Sequence, residues 1–402
     1  MNDLIEEVKD LNLGIKFGEE MLSALLYADD IVLLAENEED LQQQLNIVHS
    51  WCSKWRISIN MDKTKIMHFR TTSQAESTFS FTLGDRNVNY ADHYRYLGYD
   101  LYYNLNYEHG TNILAAAAGR ALGSLVSKFF KHNGLTYATY TKLYHSTVVP
   151  VCDYAAGIWG IRNYKKCQTL QNRAMRTFMG VGRMTPILFL YGDMKWVPHY
   201  IRQEGEVLRL WMRLLEMDDA RLTKKVFLWD YNLSIEGKTN WNTSVRTLLA
   251  SSGLEHIFLD KSLHGQSKKH IIDTFTKKQM DEYHEKWKQE VRDVSRLENY
   301  TQYKDNIVLE NYVTSKIITR HERLNLAKLR SGTLPIEIEK GRYRNTARHE
   351  RLCKQCSIGV VETEQHFLLD CPTYHSEITE FKNKICTILG LGNIGDVVYV
   401  LI

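Results

Sequence analysis

Two apolar runs flank an acidic step near the start of the chain. LSALLY (22–27) and IVLLA (31–35) each have the length of a buried strand, and Ala28, Asp29 and Asp30 lie between them. The period then changes. In NEEDLQQQLNIVHSWCSKW (37–55), Leu41, Leu45, Val48, Cys52 and Trp55 recur at helical spacing. Asn37 is a suitable N-cap, and Glu38, Glu39 and Asp40 favour the positive end of the helix. RISIN (56–60) and TKIMHF (64–69) alternate as strands around the turn-like NMDK. FSFTLGDRNVNYA (79–91) predicts a hairpin at Gly84-Asp85, and HYRYLGYDL (93–101) predicts another bending at Gly98. Ahead of these, NDLIEEVKDL is amphipathic and GIKFG reads as a short strand.

From about residue 107 the pattern is helical. Residues 111–130, 136–149, 165–180 and 198–216 carry apolar stripes with basic outer faces, and 276–294 and 314–332 resume them. Residues 231–270 are polar with weak periodicity and read as a looser connection. Tyr, Trp and small residues gather in YTKLYHSTVVPVCDYAAGIWG (140–160), a composition that fits a core and also a surface on which bases stack. Arg173, Arg176 and Arg183 suggest a basic helix face. The expected class is α+β. An antiparallel sheet with a helix occupies 1–102, helices fill 103–230, a helical linker region spans 231–338, and a basic Cys/His region spans 339–402.

Composition narrows the class only slightly. Of 402 residues, 44% are apolar and 25% charged, as in ordinary globular proteins, and a net charge of +3 does not single out a nucleic-acid partner. MNDLIEEVKD has neither the basic start nor the apolar stretch of a secretory signal. No uninterrupted apolar run approaches the roughly 18 residues of a membrane span, so no membrane partner is expected. Seven cysteines without such a signal favour reduced thiols and an intracellular setting, in nucleus or cytoplasm.

Two adjacent carboxylates at a hairpin tip repel each other unless water or a cation relieves them. Strand side chains alternate faces, so the pair suits one direct metal ligand and one supporting acid. The order of strand, Asp pair, strand, acidic helix and lysine-bearing segment resembles the palm of a reverse transcriptase. More narrowly, it resembles the non-LTR (LINE-type) retrotransposon polymerases. NDLIEEV, LLYADDIVLLAENEEDLQ, INMDKTKIMHF and YRYLGYDL carry the likeness. The resemblance implies an incomplete polymerase palm, then a thumb and helical extension, acting on an RNA template with a DNA primer or target DNA. At matched positions it implies that Asp29 is a Mg²⁺ ligand, with Asp30 beside it near the primer end. Tyr27 and Ala28 lie under the last primer nucleotide, Lys63 approaches the incoming phosphates, and Tyr96, Leu97 and Gly98 form the primer grip. Such chemistry uses two Mg²⁺ ions that clamp the attacking and leaving oxygens.

The spacing Cys353-x₂-Cys356-x₉-His366-x₄-Cys371 offers three thiolates and one imidazole, a closed tetrahedral set for structural Zn²⁺. It resembles the C-terminal zinc knuckle of the same elements, which begins with a stretch like LRSGTLPIEI. Around it, Arg342, Arg344, Arg348, Arg351 and Lys354 form a basic patch suited to phosphate contact or to plain solvation.

The first catalytic aspartate and the fingers of the family have no counterpart in the 26 residues before Tyr27. Asp3, Glu6, Glu7, Asp10, Glu19 and Glu20 are the acids there, and none sits in an apolar-Asp-aromatic setting. The isolated chain is therefore expected to be inactive as a polymerase. The alternative is a non-catalytic RNA- or DNA-binding fragment or a domesticated retroelement protein. A third reading, a metal-dependent phosphohydrolase, has only His68 and His93 as further ligands.

Overall fold

Helices α1 (Asn2–Asp10) and α2 (Glu38–Trp55) turn apolar stripes toward each other. Leu4 and Val8 meet Val48, Trp51 and Cys52, and Ala24, Ile31 and Leu33 of the acidic hairpin pack on the same cluster. The hairpin thus sits on two helices. Burying each such Val or Leu side chain is worth about 1.5–3 kcal/mol, enough to hold a two-stranded element that is marginal alone. The computed structural model describes residues 2–389.

Asn37 caps α2, its side chain accepting the Asp40 N–H at 2.9 Å. Trp51 rather than Trp55 is the indole that α2 buries: Trp51 is 5% exposed and Trp55 is 55% exposed. Both donate to the Asp3 carboxylate, at 2.7 and 3.1 Å. The Trp51 hydrogen bond is the main reason that this carboxyl is held well below its usual range. A second cluster joins Leu45 of α2 to Ile66, Phe81, Leu83 and Val88.

The strands form four antiparallel pairs. These are β1 (Ile15–Phe17) with β2 (Glu20–Leu22), β3 (Ala24–Tyr27) with β4 (Asp30–Leu33), β5 (Thr82–Leu83) with β6 (Arg86–Asn87), and β7 (His93–Tyr96) with β8 (Tyr99–Tyr102). Both glycine-marked hairpins occur as expected. Among the described residues each ladder stays two-stranded, so the expected continuous sheet is replaced by four separate small hairpins. Residues 56–60 and 64–69 are not strands. In these segments Ile66 is buried and makes a single bridge to Tyr90, and Ile59 packs half-buried on the core. β3 and β4 are half-buried at the base and exposed toward the tip, rather than buried throughout.

Helices dominate the remainder, beginning with α3 (Tyr107–Lys131). By length and composition α3 could cross a membrane. Its buried residues Leu114, Ala118, Leu122, Leu125 and Phe129 recur three or four apart, the stripe of a helix packed on protein. Residues 231–270 are not a loose connection. Helices Leu222–Ile235, Trp241–Ser251 and Glu255–Leu259 bury Tyr231, Val245, Leu249, Ile257 and Phe258.

The chain divides into two compact units. Among the described residues, one gathers 2–116, 152–164 and 203–275, and the other gathers 117–151, 165–202 and 276–389. The first holds the hairpins and a core in which Trp211 stacks on Phe258 and donates to Asn242 at 2.9 Å. The second packs Phe129, Tyr140 and Phe178 together. Tyr140, Tyr144 and Trp159, from the stretch with possible stacking surfaces, are all buried core residues.

Candidate functional site

The acidic hairpin is closed by a two-residue turn. Tyr27 pairs with Asp30, which leaves Ala28 and Asp29 at the tip. Ala28 has a φ of 54°. A left-handed alanine costs roughly 1–2 kcal/mol, a local strain of the kind that gathers at functional sites. Leu26 through Asp30 are all exposed, Tyr27 at 62%. The two carboxylates therefore project from a strained tip whose base is anchored on α1 and α2. Among the described residues no third His, Cys, Asp or Glu joins them in a potential metal-binding group.

The hairpin β7–β8 turns at Leu97 and Gly98, whose φ values are 47° and 87°. Two consecutive positive φ values are what a tight hairpin with right-handed twist requires, and glycine adopts them freely. Tyr154 pins this turn by donating its hydroxyl to the Leu97 carbonyl at 2.5 Å. A Cβ on Gly98 would come within 3.4 Å of the same ring. The Tyr96 hydroxyl is pushed above its ordinary range by burial and, secondarily, by the negative charge of Asp30. The acidic tip and the second hairpin thus share one electrostatic neighbourhood. Lys63 is exposed in a turn, where its N–H donates to the Asn60 carbonyl at 3.3 Å, and is not on a strand.

In the other unit, Cys353, Cys356, His366 and Cys371 converge, with one ligand atom from each within 4.8 Å of the others. Cys353 follows Leu352, which bridges to Val361, and its N–H donates to the Val360 carbonyl at 2.8 Å. The Gln355 N–H points at the Cys353 sulfur at 3.4 Å, which makes the turn of the Cys-x₂-Cys step. The one turn His366–Asp370 brings His366 and Cys371 to the same point. Cys356 Sγ lies 3.5 Å from His366 Nε2. A tetrahedral zinc with bonds of about 2.3 Å to sulfur and about 2.0–2.1 Å to nitrogen places those atoms roughly 3.6 Å apart, so the donor set fits a metal ion. Burial pushes the Cys353 thiol up to about 11, and the Ile358 N–H is the main influence drawing Cys356 down.

Residues 1–101 match the family model described as reverse transcriptase (RNA-dependent DNA polymerase). The probable RNA-directed DNA polymerase from transposon BS of Drosophila melanogaster is 28% identical over 159 residues, 37% of this chain and 18% of that protein. The RNA-directed DNA polymerase from mobile element jockey of Drosophila funebris is 26% identical over 176 residues, 42% of this chain and 19% of that protein. Residues 1–101 are a reverse transcriptase segment of the non-LTR retrotransposon kind. The retrovirus-related Pol polyprotein from type-1 retrotransposable element R1 2 of Nasonia vitripennis is 23% identical over 148 residues, 34% of this chain and 36% of that protein. The chain thus spans well under two thirds of each of these relatives.

The reverse transcriptase segment contains Tyr27, Ala28, Asp29, Asp30, Lys63 and the Tyr96–Gly98 turn, and the charge of Asp30 is felt at Tyr96. The basic residues near the Cys quartet have partners of their own. Arg342 donates to Ser295 Oγ at 2.8 Å and pairs with Glu339, and Arg348 pairs with Glu298 at 2.8 Å. Arg344 and Lys354 both pair with Glu337. Arg351 donates to the carbonyls of Ile338 and Thr346 and is held inside the fold by them. Sequence reasoning missed the role of Tyr154, whose only signal was its place among other aromatics.

Proposed function

We propose that this chain is the primer-end and downstream part of an RNA-directed DNA polymerase, engaging an RNA template and a DNA primer or target strand. The strained tip at Ala28, which presents Asp29 and Asp30 within a segment that matches the reverse transcriptase family, is the observation that carries this reading. Asp29 is the direct ligand for Mg²⁺, Asp30 supports it, and Tyr27 and Ala28 form the floor under the primer terminus. Bound Mg²⁺ would lower the charge on the reacting phosphate oxygens. Lys63 lies in the segment that meets the incoming phosphates. Tyr96, Leu97 and Gly98, braced by Tyr154, hold the primer backbone. The region up to 102 serves as palm, 103–230 as thumb, 231–338 as helical linker and 339–402 as a zinc knuckle. In that knuckle Cys353, Cys356, His366 and Cys371 hold structural Zn²⁺, and closed four-coordination leaves no open position for catalysis. Arg348, Arg344 and Lys354, with side chains 63%, 47% and 64% exposed, exchange their carboxylate partners for phosphates. Arg342 adds to that surface, and Arg351 supports it from within. An intracellular setting goes with this reading.

Two carboxylates at an open tip are too few to hold two Mg²⁺ ions, each of which needs near-octahedral oxygen coordination. These 402 residues alone are therefore inactive as a polymerase. That shortfall also favours a second reading, a nucleic-acid-binding protein without catalysis. The test is fluorescence anisotropy of a recessed DNA primer on an RNA template, with and without Mg²⁺, followed by primer extension. Binding that weakens steeply with salt, that Mg²⁺ strengthens and that yields no extension is the expected result. Binding indifferent to Mg²⁺ favours the second reading, absence of binding contradicts both, and robust extension contradicts the inactivity.

A further inference from the structure

His93, Asp100 and His109 meet where the β7–β8 hairpin adjoins the start of α3, apart from the Asp pair, the Leu97–Gly98 turn and the Cys quartet. One ligand atom from each lies within 4.8 Å of the others. His93 opens β7, Asp100 sits in β8 and His109 is in the first turn of α3, so the trio ties three elements together. The His93 and His109 rings stand 5.1 Å apart, and Tyr102 stacks on His109 at 5.0 Å, which fixes the orientation of that imidazole. Asp100 is 9% exposed, and the nearest cation to it is Arg95, whose Nε is a long 4.0 Å away on a side chain 66% exposed. Nε2 of His109 is buried and has no hydrogen-bond partner. A buried ring nitrogen without a partner loses its hydration and gains nothing in return, a situation that a metal ion relieves.

We propose that His93, Asp100 and His109 form a second metal site, taking a divalent zinc-like ion that braces the β7–β8 hairpin against the start of α3. Two imidazoles and one carboxylate suit a borderline transition metal rather than Mg²⁺, which prefers oxygen ligands. Ligand bonds of about 2.0–2.1 Å in a tetrahedron separate the donor atoms by roughly 3.4 Å, so small side-chain rotations close the trio on an ion. Three protein ligands leave a fourth position for water. Arg95 competes with the ion for Asp100.

The site stands whether or not the chain takes part in polymerisation, and its test counts metal. The full chain is first given one equivalent of Zn²⁺ to fill the Cys quartet, then titrated with more Zn²⁺ by calorimetry. A second, weaker binding event is expected. His93→Ala, an exposed position, should weaken that event by at least about tenfold, comparable to or beyond what loss of a supporting second-shell partner does at metal sites. Arg95→Ala should strengthen it by removing the competing cation. Hydrogen-exchange protection of α2, which lies in the same compact unit as the trio, reports whether each variant still folds. If His93→Ala misfolds, the wild-type count and the Arg95→Ala shift decide. Uptake of one Zn²⁺ only, or a second event unchanged in both variants, overturns the proposal.

Discussion

Replacing Arg330 by leucine strands a buried charge. Asp193 is fully buried and takes four hydrogen bonds: Arg330 Nε at 2.8 Å, Arg330 Nη2 at 3.1 Å, Tyr300 Oη at 2.8 Å and Tyr312 Oη at 2.6 Å. Burial and the negative charge of Asp193 both hold the Tyr300 and Tyr312 hydroxyls well above their ordinary range, so these groups stay protonated and keep donating. Arg330 supplies the fork-shaped positive partner. Lys304, 4.0 Å from Asp193 and also paired with Glu310, is too far and too engaged to replace it. Removing one partner of a buried ion pair costs about 3–5 kcal/mol. The two tyrosines and Lys304 still offset part of the charge, which places Arg330→Leu near the lower end, about 3 kcal/mol. Against a total stability of about 5–15 kcal/mol, that is a large fraction. Urea unfolding followed by tryptophan fluorescence measures it. Adding Asp193→Asn to Arg330→Leu should recover part of the loss, because the stranded charge is then gone. A loss under about 1 kcal/mol for the single change would refute the reasoning and leave Arg330 an ordinary surface cation.

Other expectations follow from the same geometry. Glu204 has a buried Oε2 without a partner, and burial pushes its carboxyl up to about 7. Its folded value lies above its unfolded one, so its neutral form adds stability below about pH 4.5 that is lost as pH rises through 7. Glu204→Gln should therefore raise stability at pH 8 by about 2–3 kcal/mol and leave it unchanged near pH 4, as chemical denaturation at the two pH values would show. Tyr154→Phe removes the hydrogen bond to Leu97 and should lower stability by about 1 kcal/mol while weakening primer–template binding; binding equal to wild type would detach Tyr154 from the grip. Stripping metal with a strong chelator should unfold the region around Cys353 while the hydrogen-exchange protection of α2 survives, and unchanged protection near Cys353 would show that the quartet needs no ion.

Much of the site could be read from the sequence where local chemistry decides the backbone. Gly84-Asp85 and Leu97-Gly98 demand tight hairpin turns, Asn37 followed by three acids demands a helix start, and all three occur. The Cys353–Cys371 spacing likewise suffices to bring four ligands together. What was not legible depends on distant partners. The alternation in RISIN and TKIMHF resembles strands, yet with no neighbouring strand to pair with, only the Ile66 bridge forms. Residues 231–270 look polar because their helices bury few side chains per turn, and Phe258 is core where the rings of Trp211 and Tyr231 pack on it. The carboxylates that engage the basic residues, Glu298 for Arg348 and Glu339 for Arg342, could not be assigned from charge counts. The arginine of the LRSG stretch has a similar history. Arg330 holds Asp193, and Gly332, with a φ of 63°, passes so close to the Arg296 carbonyl that a Cβ would lie 2.1 Å from it.

The claim at the centre of this reading is that Asp29 and Asp30 sit together at an exposed tip because a divalent cation binds there. Electron paramagnetic resonance of Mn²⁺, added to the full chain after Zn²⁺ has filled the nitrogen and sulfur sites, tests it most directly. The expected result is one weak Mn²⁺ site in the wild type that tightens with primer–template and is lost in Asp29→Asn. Equal Mn²⁺ binding by the wild type and Asp29→Asn, with or without nucleic acid, would contradict it.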